Sequence, residues 1–205
     1  RPLEGRDGFL HGYSRRAVPE RLTERLGESF EILRTAVKPH ACCRYIQGPI
    51  DAVLTLMREH NIPPGQIARI EIAVLEAGWS LVCDPPDRKY HPQGIVDAQF
   101  SAPFGVAVAV LRGAAGLDQF TMKEIVSPDV LAMMQKVVLL RDAEIEKTFP
   151  REWPARAMIQ LADGTRHEKF IRYPKGDPEN PLSGYDPEEV LSAYNQMVQL
   201  SPRLA

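Results

Sequence analysis

The chain has 205 residues, 44% hydrophobic and 25% charged, with 25 Lys and Arg against 27 Asp and Glu for a formal charge of -2. That length and apolar content can bury one good core or two small ones, while the even spread of both signs argues against nucleic acid as a partner. The longest apolar run, "APFGVAVAVL", is about half of what a bilayer span requires; with no signal peptide in view, the expected location is cytoplasmic.

Residues 1–27 carry short helical signals broken by Gly and Pro, with too little apolar surface for a core of their own. They read as a segment that lies on another body. The chain opens on Arg1 where an initiator methionine would stand, which reads as a processed chain or one part of a longer polypeptide. "SFEILRTAV", with Phe30, Ile32 and Leu33, is a predicted strand. Ile50, Val53, Leu54 and Met57 then repeat at i, i+3, i+4, i+7, so a helix is expected over residues 44–60, stopped by Asn61 and "IPPGQ".

In "IARIEIAVLE", Ile70, Ile72 and Val74 alternate with Arg69, Glu71 and Ala73, the pattern of a half-buried strand. "CDPPDRKYHPQG", rich in Pro, reads as a loop. Residues 95–112 are nearly uncharged and rich in Ala, Val and Phe, predicting a helix buried on several sides, perturbed near Pro103 and ended by Gly113. Ser127 and Pro128 mark the N-cap and first position of another helix with Val130, Leu131 and Met134 inward, and "KVVLLRD" is a short strand. Two alternating runs flank Asp163-Gly164, a hairpin signal. After the loop "PKGDPENPLSGY", Asp186, Pro187 and Glu189 start a last helix with a cap, a first-position proline and a capping-box acid. The order predicts an α+β fold, an antiparallel sheet with helices packed on it and helical segments at both ends. The expected organisation is a helical segment at 1–27, an α+β domain at 28–178 and a C-terminal helix at 179–205.

Lys38, where a strand meets a helix, can reach into a cleft. Cationic at neutral pH, it would hold a substrate carboxylate or stabilise the charge that develops when a proton leaves carbon beside a carboxylate; by position alone it also reads as a surface lysine. Cys42, Cys43 and Cys83 cannot all pair within the chain, and adjacent cysteines bridge poorly, so they read as reduced thiols. Cys42 and Cys43 with nearby His40 lack the two-to-four-residue separation of zinc pairs and a second ligand pair, which favours small residues packing a helix start and no metal. Lys89, Tyr90 and His91, followed by Asp97, Gln99 and Ser101 at the head of a helix, gather polar groups where an anion could bind or where a solvated loop meets capping residues. Lys175, Gly176 and Asp177 read as a structural turn, with no phosphate-loop pattern.

Four stretches, "LEGRDGFL", "LRTAVKPHACCRYIQGPIDA", "HPQGIVDAQFSAPFGVAVAVLRG" and "YPKGDPENPLS", together resemble the C-terminal part of the MmgE/PrpD family, in family order and spacing across essentially the whole chain. The family includes 2-methylcitrate dehydratase, cis-aconitate decarboxylase and iminodisuccinate epimerase. The resemblance implies the α+β lid of a two-domain enzyme whose helical N-terminal half is absent here, with the active site between them. It further implies a homodimer that uses neither metal nor cofactor. On this reading Lys38 is the lid-side catalytic lysine, and Cys43, Gln47, Tyr90, His91 and Gln99 line the substrate side. Some members have histidine where Cys43 stands, and histidine is frequent where Gln47 stands; neither replacement transfers protons as histidine does. The implied function is a lyase or isomerase that removes a proton beside a carboxylate of a small polycarboxylate, dehydration of the 2-methylcitrate type being the foremost expectation, with the chain inactive by itself. The alternatives are a non-catalytic binding or assembly module that kept the lid fold, and a free-standing α+β domain of unrelated function. The lid reading also predicts exposed apolar surface on the terminal helices and on residues 95–112.

Overall fold

The computed structural model describes residues 2–28 and 35–180. The chain forms two compact units, Arg1–Thr35 and Ala36–Ala205. In the first, helix α1 (Phe9–Tyr13) buries none of its side chains, and a single 3-10 turn spans Pro19–Leu22. Leu3, Phe9, Tyr13, Val18, Leu22 and Leu26 are all exposed. Among the described residues of this unit no hydrophobic side chain is buried.

The second unit is built on a four-stranded sheet in the order β2-β1-β3-β4, from strands β1 (Ile67–Ala73), β2 (Val137–Leu140), β3 (Ala155–Leu161) and β4 (Arg166–Ile171). One face is apolar because alternation places every second residue on it: Ile70 pairs with Val137 on one side and Ile159 on the other, and Ile72 with Leu139 and Ala157. Ile70, Ile72, Val137, Ala157 and Ile159 are buried. The β3–β4 hairpin turns through Asp163 and Gly164; Gly164 takes φ +89°, which a glycine adopts without a Cβ clash, and Asp163 accepts the Thr165 N–H at 2.8 Å.

Helices α2 (Arg44–Glu59) and α6 (Ala102–Arg112) belong to the same apolar core as this face. On α2, Ile46, Ile50, Val53 and Leu56 point inward at helical spacing. In α6 every residue from Ala102 to Val110 is buried, so it is apolar around its whole circumference. The two helices approach so closely that a Cβ on Gly105 would lie 3.0 Å from Ile46 Cγ2. Phe104 fills the centre against Phe120, ring centroids 5.4 Å apart. Helix α8 (Pro128–Met134) covers α6 with Val130, Met133 and Met134.

The α+β expectation holds, and the sheet is antiparallel in two of its three pairings. The third, β1 with β2, is parallel, because residues 74–136 form a long helical crossover between these strands. Three local expectations are corrected. The stretch read as a loop, residues 83–94, holds a short helix, α4 (Pro86–Tyr90), opened by the Pro85-Pro86 pair and preceded by α3 (Glu76–Val82), whose C-cap is Cys83; proline suits a first turn, where its missing N–H is unneeded. The single helix over 95–112 is two, α5 (Ile95–Gln99) and α6, divided at Phe100 and Ser101. Ser101 takes extended φ/ψ and its Oγ accepts the Phe104 N–H at 3.1 Å, so Pro103 sits harmlessly in a new first turn. Accordingly α6 is buried while Ile95, Val96 and Phe100 are exposed. Finally, Ser127 precedes α8 without capping it through its side chain; its hydroxyl instead donates to Asp129 at 2.5 Å.

Gly113 ends α6 in the left-handed conformation, φ +69°. Residues 29–34 of the first expected strand, and the expected helix at Asp186, Pro187 and Glu189, lie outside the described residues. Residues 35–38 have no regular secondary structure.

Candidate active site

Lys38 stands exposed on a surface turn, residues 36–43, that runs into the first turn of α2. Its ammonium makes no hydrogen bond or ion pair among the described residues. The turn beneath it is tied on both sides of the lysine. Val37 N–H donates to Gly176 O at 3.0 Å, Ala41 N–H to Ala115 O at 2.9 Å, and Cys43 N–H to Gln99 O at 2.9 Å. Three distant segments therefore hold the backbone on either side of the lysine.

The side chains of α2 add the rest. Gln47, one turn into the helix, is completely buried. Its Oε1 accepts the His40 N–H at 3.1 Å, and its Nε2 donates to His40 O at 3.0 Å and Cys42 O at 3.1 Å. Burial makes this pairing obligatory, since an amide without partners in a dry interior costs about 1–3 kcal/mol. Asp51, one turn further, lies 3.0 Å from His40 Nε2 through Oδ1 and accepts the Lys175 N–H at 2.6 Å through Oδ2. Gln47 and Asp51, four residues apart on α2, thus both reach the lysine turn.

Gly176 completes the seat. It takes φ +90°, and a Cβ there would fall 1.9 Å from Val37 O. Next to it, buried Asp177 pairs with Arg44 in the first turn of α2, whose guanidinium lies 4.8 Å from the Trp153 ring centroid. Burial pushes the Asp177 carboxyl up against the opposing pull of Arg44.

The expected substrate-side residues divide into two groups. Cys43 and Gln99 meet each other through the backbone bond already described, and both are half-buried. Cys42 and Cys43 are free thiols packing the start of α2; burial raises the Cys42 thiol pKa and pushes Cys83 up to about 12, so both stay protonated. The other residues have their polar atoms in use. Gln47 is engaged by the turn. Tyr90 donates its hydroxyl to Val137 O at 2.6 Å, tying α4 to β2. His91 is exposed, with Nδ1 2.9 Å from Asp87 O at the end of α4.

Lys89 does more than the sequence indicates. Its Nζ donates to Leu81 O at 2.5 Å and Phe100 O at 2.9 Å, joining the end of α3 to the break between α5 and α6. Its own carbonyl accepts the Ser101 hydroxyl at 2.5 Å. Desolvation lowers its pKa. The sequence reading missed Asp51 and the clamping role of Gln47; the available signal was two polar residues four apart beside the buried face of a predicted helix.

The arrangement is a single solvent-facing cation on a rigid, hydrogen-bonded turn, backed by an apolar core. Among the described residues no group of three or more His, Cys, Asp and Glu side chains is placed to hold a metal ion. Such a turn can bind a carboxylate or stabilise negative charge developing beside it.

The family model for the MmgE/PrpD C-terminal domain matches residues 40–189. The "Cis-aconitate decarboxylase-like protein oryM" of Aspergillus oryzae is 27% identical over 188 residues, an alignment that covers 83% of this chain and 37% of that protein. The chain therefore spans little more than a third of the curated relative it matches.

Proposed function

The chain belongs to the MmgE/PrpD family, and we propose that it is the lid portion of a lyase or isomerase acting on a small polycarboxylate, completed by a helical half in the same or a separate polypeptide. The observation that carries this reading is Lys38: an exposed ammonium on a turn fixed by hydrogen bonds from Gln47, Gly176, Ala115 and Gln99. A surface lysine needs no such seat. A lysine that must meet an anion in one geometry does, because preorganised charge acts without reorganisation during reaction.

In the proposed mechanism a carboxylate of the substrate sits against Lys38. A base on the helical half removes the proton from the adjacent carbon, and the electron pair left behind is delocalised onto the carboxylate, where the ammonium stabilises it. Collapse of that charge with departure of a neighbouring hydroxyl, protonated as it leaves, gives an alkene and water. Dehydration of the 2-methylcitrate type is the reaction we propose first. Loss of carbon dioxide, as the relative's name suggests for that protein, or reprotonation on the opposite face would use the same lysine. A homodimer in the cytoplasm is proposed with it; among the described residues no helix is long and apolar enough to cross a membrane.

The test is a panel of 2-methylcitrate, cis-aconitate and iminodisuccinate assayed on the native polypeptide, reading alkene absorbance, carbon dioxide release and change of handedness. Lys38→Ala should lower kcat about 10²–10³-fold while changing stability by no more than about 0.5 kcal/mol. Undiminished activity in that variant, or activity and stability lost in proportion, would remove Lys38 from the mechanism. Tricarboxylate protection against thermal unfolding without turnover would favour the binding-module alternative.

A further inference from the structure

We infer that Gln47 is a positioning residue for the reaction, acting through the turn that carries Lys38. This rests on the reading of Lys38 given above. The amide is fully buried, and three of its bonds go to backbone atoms of the turn: His40 N–H and C=O, and Cys42 C=O. A further contact, 3.3 Å from Nε2 to Cys42 Sγ, leaves no part of the side chain facing solvent. Only a side chain with both an acceptor and two donors can satisfy an N–H and two carbonyls at once.

The donor and acceptor on His40 fix the peptide units on both sides of that residue, two positions after Lys38. Asp51 fixes the same residue from the ring side, at 3.0 Å from Nε2, and anchors the Lys175 N–H. Rotation of the turn about Pro39 would have to break the Gln47 pair first. The chemical consequence is that the direction of the Lys38 stem is set before substrate arrives, which lowers the reorganisation needed to bring the ammonium to a carboxylate oxygen. The bonds of Gln47 go to His40 and Cys42 and not to the ammonium, so a contribution made through Lys38 must disappear when the ammonium is gone.

That dependence gives the test. Gln47→Met keeps length and volume but loses the hydrogen bonds to His40 and the Cys42 carbonyl. Kinetics and calorimetric tricarboxylate affinity are measured on the native polypeptide as wild type, Gln47→Met, Lys38→Ala and the double variant. Gln47→Met should lower kcat/KM about 100-fold in the wild-type background, the scale of a misplaced catalytic group, mostly in kcat. In the Lys38→Ala background it should change kcat/KM or affinity by no more than about 2-fold. A loss of the same factor in both backgrounds would mean Gln47 merely supports the fold and would overturn the inference, as would wild-type activity in Gln47→Met. If Gln47→Met fails to fold, Gln47→Glu carries the same cycle, since it keeps the acceptor for His40 N–H and loses the two donations. Failure of the Lys38 assignment is separate: it shows as full activity in Lys38→Ala alone.

Discussion

The core between α6 and the sheet and the turn that carries Lys38 are both well determined, but by different forces. In the core, Phe104, Ile46, Ile50, Ile70 and Ile159 are almost completely shielded from water, and the stabilising term is apolar area removed from solvent, roughly 25 cal/mol per Å². The turn at residues 36–43 lends Ala41, Cys42 and Cys43 to that core, but its path around Lys38 is set by hydrogen bonds to Gln47, Asp51, Gln99, Ala115 and Gly176. Burial is nondirectional and tolerates exchange of similar shapes. Hydrogen bonds are directional and fail one at a time, so a turn built from them can aim a charge, which a core cannot do.

The comparison is sharpest where each region is cut at its centre. Phe104→Ala removes the ring that meets Phe120 and should cost about 3–5 kcal/mol of global stability, measured by denaturant unfolding, with loss of activity only through loss of folded protein. In the turn, Gly176→Ala combines a positive φ with a Cβ placed against Val37 O. It should cost about 1–3 kcal/mol, and activity should fall well beyond the folded fraction because the lysine seat is displaced. Full specific activity in the Gly176→Ala protein would show that the seat does not govern the lysine.

The smallest effect belongs to a polar cluster at the surface. Arg112, at the end of α6, donates to Asp129 at 2.7 Å and to Glu124 at 2.6 Å, and hydrogen bonding from Arg112, then Ser127, holds the Asp129 carboxyl well below its usual range. A carboxyl lowered in the folded state stabilises the fold above its unfolded value, about pH 3.9, and that contribution is lost as pH falls through the folded value. Because Asp129 is 49% exposed, solvent screening limits the contribution to about 1 kcal/mol or less at neutral pH. Asp129→Asn should therefore lower the unfolding midpoint slightly at pH 7, and the difference from wild type should shrink in progressively more acid buffers. A constant difference across that range would assign the effect to packing.

The same division of forces explains what the sequence disclosed. The helix marked by Ile50, Val53, Leu54 and Met57, the alternation of Ile70 and Ile72, the Asp163-Gly164 hairpin and the Gly113 stop are local patterns, and all four elements stand in the structure. The short helix at Pro86–Tyr90 and the break at Ser101 were hidden because prolines and a serine can serve either a loop or a first turn, and only their neighbours decide. Lys38 was singled out through its place in a motif. Its seat was not, because Asp51 and Lys175 are bonded across 124 positions of sequence, and no periodicity records a contact of that range. Gln47 was singled out as a substrate-side residue; the structure places it behind the turn, where its amide faces backbone.

Helix α6 has a further consequence through its uniform burial. The amides from Gly105 to Val110 are hydrogen-bonded within the helix, and these residues are all buried in the core shared with α2, α8 and the sheet. No partial opening of the unit frees those protons, so their exchange with deuterated solvent should proceed only through complete unfolding. The slowest amides of α6 therefore form a natural gauge of global stability, readable in the same spectrum as the faster amides of the lysine turn.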